Sequence, residues 1–115
     1  MKTAENMYND IQPLVENNWD EAAMSAYEKL LETHPTYSQA HFDLGMLQLK
    51  HQQDDAALVH LERSVELAPD NTEFNKILAD FYYAKNGDTE KALQVYKHLL
   101  KLSPYNSEIH FLAGN

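Results

Sequence analysis

The sequence predicts an all-α fold, and two observations lead to this class. Apolar residues recur at intervals of three and four, as in Leu58, Leu61 and Val65, which is the spacing of one helix face. The chain also contains only three glycines and four prolines, whereas strand-rich folds need frequent turn residues. Because the helical spacing continues along most of the 115 residues, we expect helices and no sheet.

Composition excludes several classes of function. The chain is 43% hydrophobic and is therefore not expected to be disordered. No apolar run approaches the roughly 18 residues of a membrane span, so no membrane insertion is predicted. The formal net charge of −9 would repel phosphate backbones, which argues against binding of nucleic acid. The N-terminus lacks the apolar region of a secretory signal, and we expect a cytoplasmic protein.

A repeat with a period of 34 to 35 residues runs through the chain. Pro35, Pro69 and Pro104 mark it, and each has an alanine twelve residues before it and a large apolar residue four after that alanine. The alanines are Ala23, Ala57 and Ala92, and the large residues are Tyr27, Leu61 and Tyr96. A proline just past a helix ends it, and a small alanine lets two helices approach closely. The hydroxyl residues Ser38, Thr72 and Ser107 follow the prolines and are suited to N-capping the next helix.

This period and these residues resemble the tetratricopeptide repeat. The second repeat has the Leu44-Gly45 pair of the family's helix A and the Ala57, Leu61 and Pro69 of its helix B. The third repeat also has the family's Gly-Asp turn, at Gly87-Asp88, with one extra residue that fits best just before it. The resemblance implies a right-handed α-solenoid of antiparallel helix pairs. It places one repeat domain over 1–115, with repeats at about 4–37, 38–71 and 72–106 and a partial fourth at 107–115.

The first helix of the first repeat departs from the family pattern. Over roughly 5–17 it has no Leu-Gly pair, and it contains Pro13. A proline inside a helix costs about 3 kcal/mol unless it lies in the first turn or at a kink. Two interpretations remain, a kinked helix with one apolar face through Tyr8, Ile11 and Val15, or a helix that begins near Asp10.

The chain ends inside the first helix of a fourth repeat, which would begin at Ser107. Its apolar residues Ile109, Phe111 and Leu112 lack the second helix that would cover them. One interpretation is that the chain is part of a longer protein. The other is that this end packs on another chain, which predicts weak self-association through the open repeat ends.

No constellation typical of catalysis, cofactor binding or metal binding occurs. The six histidines form no His-x3-His pair and no His-Glu-x-x-His motif. His34 suits the end of a helix, while His41 and His110 occupy the same repeat position and are expected to pack. Trp19 is also expected to pack, at a turn. No glycine-rich phosphate loop is present, so we expect no enzyme, no cofactor and no metal.

The resemblance implies that the first helix of each repeat lines a concave groove through positions 2, 5, 9, 12 and 13. These positions give the groove candidates Gln39, Phe42, Met46, Leu49 and Lys50 in the second repeat, and Glu73, Lys76, Asp80, Tyr83 and Ala84 in the third. Asp43 is a further candidate, from a second set of family positions described next. Phe42, Met46 and Leu49 form one helical stripe, which faces a partner or packs on the first repeat.

Some members of the family hold the carboxylate end of a peptide with a clamp of cationic and amide side chains. The corresponding positions here include Asp43, Glu73 and Ile77, and acids there would repel an anionic peptide tail. The predicted function is a protein–protein interaction scaffold that binds a peptide or helix in the groove. The alternatives are an accessory segment of a larger bacterial enzyme, such as a glycosyltransferase or methyltransferase, and a module for self-assembly.

Overall fold

The computed structural model describes residues 3–102, and over this range the chain forms six α-helices and no strand. The helices are α1 (Ala4–Glu16), α2 (Asp20–Thr33), α3 (Ser38–Lys50), α4 (Asp54–Leu67), α5 (Thr72–Ala84) and α6 (Thr89–Leu102). The predicted all-α class is confirmed. The predicted short helix from Ser107 lies outside the described residues.

Helix lengths repeat with the sequence period. The odd-numbered helices have 13 residues each and the even-numbered helices have 14. The extra residue of the third repeat therefore lies in the turn 85–88 between α5 and α6, and α5 is no longer than α1 or α3. Each turn inside a helix pair places one residue at positive φ: Asn18 at 59°, Gln52 at 63° and Gly87 at 65°.

Helix α1 runs without interruption through Pro13, so the interpretation that it begins near Asp10 is wrong. Thr3 caps the helix, because its hydroxyl oxygen accepts a hydrogen bond from the Asn6 amide at 3.1 Å. At the other end, the Pro13 carbonyl accepts from the Asn17 backbone amide at 3.0 Å and from its side-chain amide at 2.7 Å. These bonds satisfy the carbonyl that lies in the last turn of the helix.

The N-caps of the second and third repeats lie one residue earlier than predicted. Asn71 caps α5, since its side-chain oxygen accepts from the Phe74 amide at 2.9 Å. Tyr37 occupies the N-cap position of α3 and makes no side-chain cap. Ser38 and Thr72 are therefore the first residues of their helices, and Ser107 lies outside the described residues.

The helices group into two compact units with the boundary between Leu67 and Ala68. In the first unit, α1 contacts α2, α2 contacts α3, and α3 contacts α4. Gly45 marks the close approach of α3 to α4, because a Cβ atom there would lie 3.1 Å from Leu61 Cγ and 3.3 Å from the Ala57 carbonyl oxygen. This unit contains a core cluster of Ile11, Ala23, Tyr27, Leu30, Ala40, Leu44 and Leu47.

In the second unit, α5 packs on α6. Its buried side chains include Leu78, Ala79, Ala92, Tyr96 and Leu99. The repeated alanines Ala57 and Ala92 are each fully buried, in agreement with the close approach of helices expected at these residues. The large residues Leu44, Leu61, Leu78 and Tyr96 are buried as well.

Candidate functional site

A cavity of about 540 Å³ opens between the first three helices. We call it the α1–α3 cavity. It is lined by Tyr8, Gln12 and Val15 of α1, Tyr27 of α2, and Asp43, Met46, Leu47 and Lys50 of α3. All three helices belong to the first compact unit, and the lining mixes aromatic, apolar and charged side chains.

Asp43 has a half-buried carboxylate that accepts hydrogen bonds on both oxygens. Its Oδ2 accepts from the Tyr8 hydroxyl at 2.5 Å and from the Tyr27 hydroxyl at 3.2 Å. Its Oδ1 accepts from the side-chain amide of Gln39, one turn earlier on α3, at 2.9 Å. Donors from three helices therefore fix the position of this carboxylate.

Both tyrosine hydroxyls remain protonated donors. Burial raises the pKa of Tyr8 far above its usual value, and the hydrogen bond to the Asp43 carboxylate raises it further. Burial also raises the pKa of Tyr27, and the negative charge of Asp43 adds to the effect. Ionising either phenol would place a second negative charge beside Asp43, so these hydroxyls keep donating at physiological pH.

Lys50 lies in the cavity wall, and its charge is matched by Asp20. The Lys50 ammonium lies 2.9 Å from Asp20 Oδ2, and His51 Nε2 lies 2.8 Å from the same oxygen. The hydrogen bonds from Lys50 and His51 lower the pKa of Asp20. Asp43, in contrast, forms no ion pair with a lysine, arginine or histidine of residues 3–102.

The structure brings four of the groove candidates of the second repeat together. Asp43, Met46 and Lys50 line the α1–α3 cavity, and Gln39 is hydrogen-bonded to Asp43. These four residues follow each other at intervals of four, three and four, which is one helical stripe.

The stripe of Phe42, Met46 and Leu49, expected either to face a partner or to pack on the first repeat, does not form one surface. Phe42 is buried, with 6% of its surface exposed, and Leu49 is half-buried and outside the cavity lining. Only Met46 belongs to both stripes. Successive residues of an α-helix point about 100° apart. Asp43 faces the cavity, so Phe42 points away from it and packs in the interior. Phe42 therefore does not belong to the candidate binding surface.

The candidates of the third repeat lie in the second unit, where Tyr96 is hydrogen-bonded to Asp80 and lines the same cavity as Tyr83. Lys76 Nζ lies 3.2 Å from Asp80 Oδ2, and Asp80 Oδ1 accepts from the Tyr96 hydroxyl at 2.7 Å. Tyr83 is 61% exposed and lines a smaller cavity of about 240 Å³ with Leu93 and Tyr96. Glu73 and Ala84 are exposed.

The groove candidates predicted from the sequence did not include the residues that the first repeat contributes to the cavity. Tyr8, Gln12 and Val15 occupy positions 5, 9 and 12 of a repeat that begins at residue 4. Those are the register positions that identified the candidates of the later repeats, so the signal was present. Tyr27, from the second helix of the repeat, had no such signal.

Within 3–102, no three His, Cys, Asp or Glu side chains are grouped so that they could hold a metal ion. None of the helices in that range combines the length and the hydropathy needed to cross a membrane.

Sequence comparison finds tetratricopeptide repeat models over most of the chain. One model matches residues 16–81, which is more than half of the chain, and a second matches residues 77–106. No curated protein matches the sequence significantly.

Structural comparison finds similar solved structures of MamA. The MamA RS-1 ArsTM double mutant is 24% identical with a TM-score of 0.79, and the match covers 96% of this chain and 62% of that chain. A crystal structure of MamA is 18% identical with a TM-score of 0.82, over 97% of this chain and 65% of that chain. MamA AMB-1 is 19% identical with a TM-score of 0.83, and the match covers 96% of this chain and 60% of that chain. These likenesses confirm the predicted helical-repeat fold, and the chain spans less than two thirds of the length of these MamA chains.

Proposed function

Because this chain belongs to the tetratricopeptide repeat family, whose members mediate protein–protein interactions, we propose that it is a scaffold that binds a peptide or helix of a partner protein in the α1–α3 cavity. The observation that carries the proposal is the composition of that cavity. Binding sites combine apolar walls with a few fixed polar groups, and here Val15, Met46 and Leu47 stand beside the fixed carboxylate of Asp43.

The size and position of the cavity support the same proposal. A volume of about 540 Å³ can take one or two side chains of a partner. The walls are formed by two first helices, α1 and α3, which pack with α2, so the polar groups lie on helices rather than on loops. Groups held on packed helices keep their geometry before binding, which reduces the entropy lost on association.

The experiment is a selection of peptides from a displayed random library against the whole chain, followed by NMR mapping of the selected peptides. We expect the amide resonances of Tyr8, Gln12, Asp43 and Met46 to shift most. Met46→Arg fills the cavity with a longer, charged side chain, and it should weaken binding of the selected peptides at least about tenfold, which is about 1.4 kcal/mol.

The matched control is Val59→Arg, which makes the same charge change on α4 at a side chain that is 63% exposed. It should leave peptide affinity unchanged, and thermal melting should show that both variants fold. Peptides that shift resonances only outside the α1–α3 cavity, or that bind the Met46→Arg variant as well as the unchanged chain, would refute the proposal.

A further inference from the structure

We infer that the partner inserts an arginine side chain into the α1–α3 cavity and pairs it with Asp43. This inference rests on the proposed function and names the chemistry of the group that is recognised. Lys50 is paired with Asp20 at 2.9 Å, while the carboxylate of Asp43 has no cationic partner among residues 3–102. A half-buried carboxylate without a counter-charge is stabilised by a cation that enters the cavity.

Two hydrogen-bond acceptors in the cavity, Asp43 Oδ1 and the Gln12 side-chain oxygen, can accept further hydrogen bonds. Each carboxylate oxygen can accept about two hydrogen bonds, and Asp43 Oδ1 accepts one, from Gln39. The side-chain amide nitrogen of Gln12 donates a hydrogen bond to the Tyr8 carbonyl at 3.1 Å. The side-chain oxygen of Gln12 accepts no hydrogen bond from the described residues. A guanidinium group carries five N–H donors and no acceptor, so it matches a surplus of acceptors.

Aromatic rings complete the recognition of a planar cation. The Tyr8 ring lies 6.1 Å from the Tyr27 ring and 5.6 Å from the Tyr37 ring, measured between centroids. Of the two tyrosines that line the cavity, Tyr27 is buried, with 1% of its surface exposed, so the half-buried Tyr8 ring is the one on which a guanidinium group can stack. This cation–π attraction is more often made by arginine than by lysine. Because Tyr8 and Tyr27 also donate to Asp43, their rings are held next to the carboxylate that would pair with the cation.

The charge of the whole chain favours the same ligand. The 18 acidic residues against 9 basic ones give a formal net charge of −9, which attracts basic segments and repels acidic ones. Of the side chains that a partner could present, arginine therefore fits the charge, the acceptors and the rings of the α1–α3 cavity together.

The test titrates short capped glycine peptides, each with one central residue, into the isotopically labelled chain and follows its amide resonances by NMR. The central residue is arginine, its neutral analogue citrulline, lysine or glutamate. We expect the arginine peptide to shift Tyr8, Gln12 and Asp43, and to bind at least about tenfold more tightly than the citrulline peptide. This comparison uses the unchanged protein, so it does not depend on the folding of a variant.

Asp43→Asn keeps the shape of the side chain and removes its charge. It should lower the affinity for the arginine peptide to that for citrulline. Asp55→Asn makes the same change of net charge at an exposed residue of α4 and should have no such effect. Equal binding of arginine and citrulline, equal or tighter binding of lysine or glutamate, or an equal effect of the two variants would overturn the inference.

The two proposals fail differently. If library peptides bind in the α1–α3 cavity without an arginine, the proposed function stands and this inference is overturned. If no peptide binds in the cavity, both are overturned.

Discussion

Asn18, Gln52 and Gly87 each adopt positive φ in the turn that joins the two helices of a repeat. Only Gly87 is a glycine, and for other L-residues the left-handed region costs roughly 1–2 kcal/mol, with asparagine better tolerated than most. Gln52, at φ 63°, is therefore the most strained of the three positions.

We expect Gln52→Gly to raise the free energy of unfolding by up to about 1 kcal/mol, because relief of strain exceeds the entropy that a glycine adds to the unfolded chain. Urea unfolding followed by circular dichroism measures this change. Gln94→Gly, at an exposed position inside α6, is the control and should destabilise the chain by about 1 kcal/mol. A Gln52→Gly variant that is less stable than the unchanged chain would contradict the assignment of strain.

His41 makes stability depend on pH. Its Nε2–H donates to the Pro35 carbonyl at 2.8 Å, and its Nδ1 is buried with no partner among the described residues. Its ring lies 5.6 Å from that of His60. Burial lowers the pKa of His41, the hydrogen bond to the Pro35 carbonyl partly opposes this, and the nearby His60 and Arg63 lower the pKa further. A proton on Nδ1 would add a buried donor and a buried charge.

The folded state therefore binds fewer protons at this residue than the unfolded state, in which the pKa is about 6.5. The contribution to stability is complete above about pH 6.5 and is lost as the pH falls below it, at no more than about 1.4 kcal/mol per pH unit. Urea unfolding at a series of pH values should show this slope, and His41→Gln should flatten it. Equal slopes for the two proteins would show that His41 does not contribute.

At the scale of helices, the contact between α3 and α4 depends on the absence of a side chain at Gly45. A Cβ atom there would lie 3.1 Å from two carbon atoms of Leu61, which is fully buried, and 3.3 Å from the backbone oxygen of Ala57. Alanine is the better helix former by about 1 kcal/mol, but overpacking costs typically about 1–3 kcal/mol. We expect Gly45→Ala to destabilise the chain by about 1 kcal/mol.

A double-mutant cycle in urea unfolding separates these two effects. In a Leu61→Ala background the contact is relieved, so Gly45→Ala should cost less there or become stabilising. The same cost in both backgrounds would mean that Leu61 does not limit the approach of the two helices.

The positions of the helices could be predicted because the packing residues that define the family repeat along the chain. Ala57, Ala92 and the prolines fixed the register, and the helices begin within a residue or so of the positions that it implies. Of the two neighbouring candidates on α3, Asp43 lines the cavity whereas Phe42 is buried. A helix apolar on several sides does not reveal which side its neighbours cover.

At the scale of the whole chain, the fold follows from local spacing, whereas the candidate site follows from contacts between distant residues. Tyr8 and Asp43 are 35 residues apart in sequence, and Tyr27 and Asp43 are 16 apart. Nothing in the spacing of a single repeat shows that three helices direct donors at one carboxylate. The register positions of the later repeats, applied to the first repeat, identify Tyr8 and Gln12 as groove candidates, but they do not predict the hydrogen bonds of these residues.

Trp19, the only tryptophan, lies in the turn between α1 and α2 and is 59% exposed, although packing was predicted for it. Its indole is already in contact with water in the folded chain, so its fluorescence emission spectrum should change little on unfolding. The same spectrum should respond strongly to a quencher dissolved in the solvent. This single indole is therefore a built-in optical probe of the surface near the first turn, and the tyrosines, several of them buried, report on the interior instead.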